Sequence, residues 1–255
     1  MHASTLTGKR LLLTRATHQM GELEEKVRRA GAIPVPFPCL ELQPLPDAIR
    51  EAFGRMQPAD DIAFSSANGI EHTALAAAES LAELLQGHRT AVVGERTAMQ
   101  LRKHGVEPHI IPETPSQEGL IAAYQRHGLP KRLIFFRAEE GNDVLVSFLR
   151  SHGCEVDLVA TYRSICPEGD ASDIIRQLQN NRIDAVLLGS PKAARHYLQR
   201  IGNPDIANRA AIAVISPAVA EAAREIGLDV QVVAKQASFD AMLNGLKDFF
   251  AQGRD

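Results

Sequence analysis

Short runs of consecutive apolar residues recur along the whole chain. Between them lie stretches in which apolar positions return every three to four residues. The first run is Arg10-Leu11-Leu12-Leu13-Thr14, and others fall at 33–37, 62–64, 90–93, 108–111, 133–136, 155–159, 185–188, 211–215 and 230–233. Most are apolar throughout rather than alternating, the pattern of strands covered on both faces. The intervening stretches predict helices, many closed by glycine: Leu23, Val27 and Ala30 before Gly31, then His104-Gly105, His152-Gly153 and Ile226-Gly227. Strand and helix alternating over the full length predict an α/β fold with parallel sheets and right-handed crossovers.

The pattern occurs twice. Lys9-Arg10-Leu11 matches Lys131-Arg132-Leu133, Arg15-Ala16 matches Arg137-Ala138, and Leu23, Arg28 and Gly31 match Leu145, Arg150 and Gly153, all at an offset of 122. The same offset relates Ala91-Val92, Ala98, Arg102, Gly105 and Ser116 to Ala213-Val214, Ala220, Arg224, Gly227 and Ser238. A period of that length is a domain, not a solenoid unit of about 20–50 residues. Two similar domains facing each other predict a cleft.

Two stretches break the rhythm at equivalent places. Pro34, Pro36, Pro38, Pro44 and Pro46 crowd the first, and 158–169 reads as one extended segment before Pro167 and Gly169. Proline-bearing extended segments serve as semi-rigid spacers. Both follow the first βαβ of a repeat instead of separating the repeats, which suggests that each repeat lends its first βαβ to the other's sheet. The expected division is 1–36 with 166–255 as one domain, 43–160 as the other, and 37–42 and 161–165 as connectors.

Composition narrows the function classes. With 255 residues, 45% hydrophobic, the chain can bury two ordinary cores. No stretch approaches the roughly 18 apolar residues of a membrane span, and the first ten residues lack the apolar core of a secretory signal. Three cysteines without CxxC spacing argue against a disulfide framework. A cytoplasmic protein without metal, expected as a monomer, is the reading. A net charge of −3 gives no basic footprint for nucleic acid. GxGxxG, Walker, GxSxG and HExxH motifs are missing, and His18, His72, His104, His127 and His152 read as solvated helix positions.

In doubly wound sheets ligands bind beyond the carboxyl ends of the strands. That rule selects Thr14-Arg15 and Phe136-Arg137 after the first strands, then Ser65-Ser66-Ala67-Asn68-Gly69 and Gly189-Ser190-Pro191-Lys192. Next come Gly94-Glu95-Arg96-Thr97 and Ser216-Pro217, and finally Ser116 and Ser238. Hydroxyl residues and glycine at helix starts leave backbone N–H groups and the positive end of the helix dipole for an anion. The plain alternatives are that the serines, threonine and asparagine are N-caps, that Arg15 and Arg137 pair with surface acids, and that Tyr162 merely packs.

At this point the chain resembles the uroporphyrinogen-III synthase family. The resemblance rests on Leu-Thr-Arg at 13–15, Phe-Ser-Ser-Ala-Asn-Gly-Ile at 64–70, Val-Val-Gly-Glu-Arg-Thr-Ala at 92–98, Ser-Gln-Glu-Gly-Leu at 116–120, Thr-Tyr-Arg at 161–163 and Gly-Ser-Pro at 189–191. It implies two flavodoxin-like doubly wound domains joined by a two-stranded connector, and a cofactor-free lyase. Such an enzyme cyclises hydroxymethylbilane, a linear tetrapyrrole with eight carboxylates, losing water and inverting the terminal ring. It implies Tyr162 as the acid that assists hydroxide departure, with Ser66, Thr97 and Ser190 as hydroxyls lining the cleft. The chain departs from the family pattern at Ser216-Pro217-Ala218-Val219-Ala220, which lacks a threonine, and at Arg137-Ala138-Glu139-Glu140, which lacks a glycine.

The strand-end rule selects Arg15, Ser65, Ser66, Asn68, Gly94, Thr97, Ser116, Arg137, Ser190, Lys192 and Ser216 as expected substrate-binding residues, and the resemblance adds Tyr162 as the expected catalytic one. The rival from a different class is a non-catalytic, two-domain small-anion binding module.

Overall fold

A computed structural model of the chain describes residues 6–252; within that range the side chain of His18, one of the histidines considered above, lies outside the description. Among the described residues, ten strands form two five-stranded sheets. They are β1 Arg10–Leu13, β2 Ile33–Pro36, β3 Glu41–Pro44, β4 Asp61–Phe64, β5 Arg89–Val92, β6 Arg132–Ala138, β7 Glu155–Ile165, β8 Ala185–Leu188, β9 Ala211–Val214 and β10 Val230–Val233. The chain divides into two compact units, Met1–Glu41 with Ile165–Asp255, and Leu42–Ser164.

In the first unit the order is β10-β9-β8-β1-β2, with parallel pairing throughout. Taken in chain order within the unit this is 2-1-3-4-5, the flavodoxin arrangement. Leu11, Leu12 and Leu13 stand opposite Ala185, Val186 and Leu187. Leu12 belongs to one buried cluster with Val186, Tyr197 and Ile212; Leu11 and Leu13 belong to another with Leu23, Leu187 and Met242. Both faces of β1 are therefore dry, which is why its sequence is apolar without alternation.

The second unit repeats the plan. Its order is β3-β7-β6-β4-β5, with β6 paired to β4 (Ile134 opposite Ile62) and to β7. Phe64 and Phe136 stack at 5.2 Å in one cluster, while Ala63, Leu133 and Phe135 point into the other. So β6 and β7, which correspond to β1 and β2 in the repeat, share a sheet with β4 and β5 of the first copy.

Three sequence expectations change. The run at 108–111 is not a strand: Ile110 forms an isolated bridge with Ala91 at the position that β10 occupies in the other unit. Residues 41 and 42, read as the end of the 37–42 connector, belong to the strand Glu41–Pro44 beside β7. Residues 161–165 are not a separate linker but the end of β7, which runs for 11 residues. The closing glycines behave as read: Gly31, Gly105, Gly153 and Gly227 all have positive φ.

Candidate active site

At the carboxyl ends of β1 and β8 the first unit opens a pocket of about 380 Å³, lined among others by Arg15, Gln19, Lys26, Ser190 and Phe239. The Arg15 guanidinium donates twice to Gln19 Oε1, at 3.1 and 2.7 Å, and lies 5.0 Å from the centroid of the Phe239 ring. A Cβ on Gly189 would come within 3.0 Å of that ring, so glycine is what lets Phe239 close over the strand end. Ser190 caps the helix Pro191–Ile201 by accepting the Ala193 N–H at 3.0 Å, and Lys192 follows in its first turn. Ser216 and Ser238 accept from Val219 and Ala241 in the same way.

The second unit assembles a tighter group. Ser65 donates its N–H to the Phe136 carbonyl, which fixes the turn out of β4. Ser66 then caps the helix Ala67–Ala76, its Oγ accepting the Gly69 N–H at 3.1 Å. The Tyr162 hydroxyl lies 3.3 Å from that same Oγ, and its ring packs on His72 with centroids 5.3 Å apart. Asn68, in the first turn of the capped helix, lines a separate pocket of about 350 Å³ with Glu71, Arg96 and Lys103. Ser116 caps the helix Gln117–His127 through the Gly119 N–H.

The structure sorts the sequence candidates. Ser66, Ser116, Ser190 and Ser216 are caps, so in each of their helices the third amide is already taken, and the free N–H groups are those of the first two positions. Pro191 and Pro217 remove one donor each. Arg137 is largely committed, donating to the Asn142 carbonyl at 2.6 Å and pairing with Asp143 at 2.7 Å. Thr97 is buried at 6% exposure inside the helix Glu95–Lys103, so it packs rather than lining an open surface. Gly94, which starts that helix, is buried too; a Cβ there would meet the Pro115 Cβ at 2.7 Å. Tyr162 stands on a strand, and His72, expected to be solvated, covers its ring. The signal for His72 was one helical turn of spacing from Gly69. Among the described residues no group of three His, Cys, Asp or Glu side chains could hold a metal ion.

A family model described as uroporphyrinogen-III synthase HemD matches residues 21–244. The chain belongs to the uroporphyrinogen-III synthase family. Among curated proteins it is 28% identical over 268 residues to "Uroporphyrinogen-III synthase" of Synechococcus elongatus, covering 99% of each. It is 27% identical to "Putative uroporphyrinogen-III synthase" of Methanothermobacter thermautotrophicus, covering 86% of this chain and 90% of the relative. Among solved structures it shares the fold of the uroporphyrinogen III synthases of Thermus thermophilus (a mutant form; TM-score 0.58, 17% identity, 97% of this chain and 100% of that one) and Helicobacter pylori (TM-score 0.60, 15% identity, 94% and 99%). Membership of the uroporphyrinogen-III synthase family makes the protein a lyase-type enzyme of tetrapyrrole biosynthesis.

Proposed function

We propose that the protein catalyses the reaction its relatives are named for, closing hydroxymethylbilane to the uroporphyrinogen ring with loss of water and inversion of the last pyrrole. The observation that carries the site assignment is the Tyr162 phenol 3.3 Å from the Ser66 hydroxyl at a helix start. A phenol is protonated at neutral pH and can donate. In the proposed first step the terminal hydroxyl of the substrate leaves as water, taking the phenolic proton, while the pyrrole nitrogen lone pair forms the azafulvene. The last ring then attacks the azafulvene methylene through its substituted carbon to give a spiro intermediate. The bond from that carbon to its original methylene bridge breaks, leaving a second azafulvene that the ring's free α-carbon attacks, which inverts the ring. On final closure that ring loses the proton from its free α-carbon, which balances the one Tyr162 supplied.

The substrate's eight carboxylates need distributed donors rather than a basic patch. The amides at the starts of the helices after Ser66, Ser116, Ser190 and Ser216, with Arg15, Asn68 and Lys192, are the proposed contacts. The chemistry is redox-neutral and runs without metal or organic cofactor, which makes it mainly a task of positioning. Three unpaired cysteines, Cys39, Cys154 and Cys166, suit a reducing cytoplasm, and the reading takes the enzyme as a monomer.

Incubating the protein with hydroxymethylbilane and resolving the product isomers tests the reading. Accumulation of the inverted isomer is expected. Tight binding of hydroxymethylbilane with only the uninverted ring as product would turn the assignment over to the non-catalytic anion-binding module.

A further inference from the structure

Thr161 is skipped in the pairing of β7 with β6: the register passes from Arg137 opposite Ala160 to Ala138 opposite Tyr162. A regular strand sends successive side chains to opposite faces, and a bulge cancels that alternation. Here both consecutive side chains reach the start of the helix Ala67–Ala76. A Cβ on Gly69 would lie 3.3 Å from the Thr161 hydroxyl and 3.3 Å from that of Ser66, while the Tyr162 phenol meets Ser66 and its ring meets His72. Without the bulge, Tyr162 would face the other side of the sheet.

Thr161 is fully buried, and its hydroxyl donates to the Arg137 carbonyl on β6 at 3.0 Å. That bond crosses the bulge. On either side the backbone is held as well: the Thr161 carbonyl accepts from Leu45 N–H at 3.0 Å and the Tyr162 carbonyl from Glu139 N–H at 2.8 Å. Valine has the same shape and the same preference for strands, so the packing alone does not call for a hydroxyl here. The crossing bond does.

We propose that Thr161 is a positioning residue for the reaction, its hydroxyl holding the β7 bulge in the geometry that aims the Tyr162 phenol. The proposal rests on the reading of Tyr162 as proton donor. The phenol is attached directly to the bulge, so loosening the bulge lowers the fraction of molecules in which it points at the leaving group. Substrate affinity, spread over many amides, changes little.

The test compares Thr161→Val, Thr161→Ser, Tyr162→Phe and the Thr161→Val/Tyr162→Phe double variant in steady-state and single-turnover assays with hydroxymethylbilane. Thr161→Val is expected to lower kcat about tenfold with KM within about twofold, since a misaimed acid loses part of its help. Thr161→Ser restores most of the rate. The double variant is no slower than Tyr162→Phe alone, because nothing remains to be aimed. A normal rate for Thr161→Val beside a slow Tyr162→Phe overturns the proposal and leaves Tyr162 standing. Losses that multiply in the double variant overturn it too. A normal Tyr162→Phe enzyme removes the proton donor and this proposal with it. Should Thr161→Val not fold, Gly69→Ala crowds both hydroxyls while favouring the helix; slowing that vanishes in the Tyr162→Phe background supports the proposal, and an unchanged rate counts against it.

Discussion

The Tyr162 phenol and the Ser66 hydroxyl stand 3.3 Å apart, and Ser66 at the same time accepts the Gly69 N–H. One serine thus ends a strand turn, caps a helix and meets a phenol. Tyr162→Phe keeps the ring on His72 and removes only the hydroxyl. General acid help is worth about 10²–10⁴-fold, and the pyrrole nitrogen already drives hydroxide out, so a loss of about one to two orders of magnitude in rate is expected. The residual product remains mostly the inverted isomer. A Tyr162→Phe enzyme at nearly full rate would leave the phenol as packing.

Ser66→Ala removes a cap. A melt should show about 1 kcal/mol less stability, the usual cost of a lost cap. With substrate binding spread over several helix starts, as proposed, activity should fall by about tenfold or less, the worth of one hydrogen bond. A thousandfold loss from this change alone would contradict distributed binding.

Much of this was legible beforehand, for reasons tied to particular residues. Leu11, Leu12 and Leu13 announced a strand covered on both faces, and the match of Arg132-Leu133 to Arg10-Leu11 marked where the pattern restarts. Ser66, Ser116, Ser190 and Ser216 were recognisable as helix starts because capping is local chemistry. The bulge at Thr161 was not legible, because it is set by the register between two strands and by a bond to Arg137, neither of which has a local sequence signature. The 41–44 strand was hidden by Pro44 and by polar residues, as befits a strand at a sheet edge. The commitment of Arg137 to Asp143 depends on how the chain turns after β6, which Arg137-Ala138-Glu139-Glu140 did not disclose.

The glycine of the Ser116-Gln117-Glu118-Gly119 segment has a steric cause. A Cβ on Gly119 would run into the carbonyl oxygen of Thr114, whose backbone must shift to make room. Gly119→Ala should therefore cost about 1–3 kcal/mol, the range for overpacking, measured by urea unfolding. An unchanged midpoint would show that the 114–116 turn yields freely.

Stability should depend on pH through Asp61. Burial pushes its carboxyl above the ordinary carboxylate range, and the Arg89 guanidinium, bonded at 2.7 Å, opposes this only in part. At neutral pH the folded state carries the penalty of a buried charge. As pH falls through the raised folded value the folded chain takes up a proton before the unfolded chain does, so this group's contribution to stability improves until the ordinary value is reached. Asp61→Asn is uncharged at every pH. Melts from pH 7 down to about 4, the ordinary carboxylate value, should show wild type gaining relative to Asp61→Asn; a drift the other way would mean that pairing with Arg89 outweighs burial.

Dialysis against a chelator should leave the rate unchanged, because the proposed steps move a proton and rearrange carbon bonds without electron transfer. A loss of activity restored by one divalent cation would reveal a requirement that the proposed chemistry does not contain.

The pairing of β1 with β8 bears on how the protein is made. Leu11, Leu12 and Leu13 leave the ribosome well before their partners Ala185, Val186 and Leu187, which emerge about 170 residues later. At the roughly 5–20 residues per second of translation, the first βαβ spends on the order of ten seconds or more with one edge of its strand unmatched. The segment 42–164, by contrast, has all its strands once β7 is out and can close first. Of the two segments, the one that begins first is thus completed last. Pro34 and Pro36, standing on the outer edge strand of that waiting segment, offer no N–H to a passing stranger while it waits.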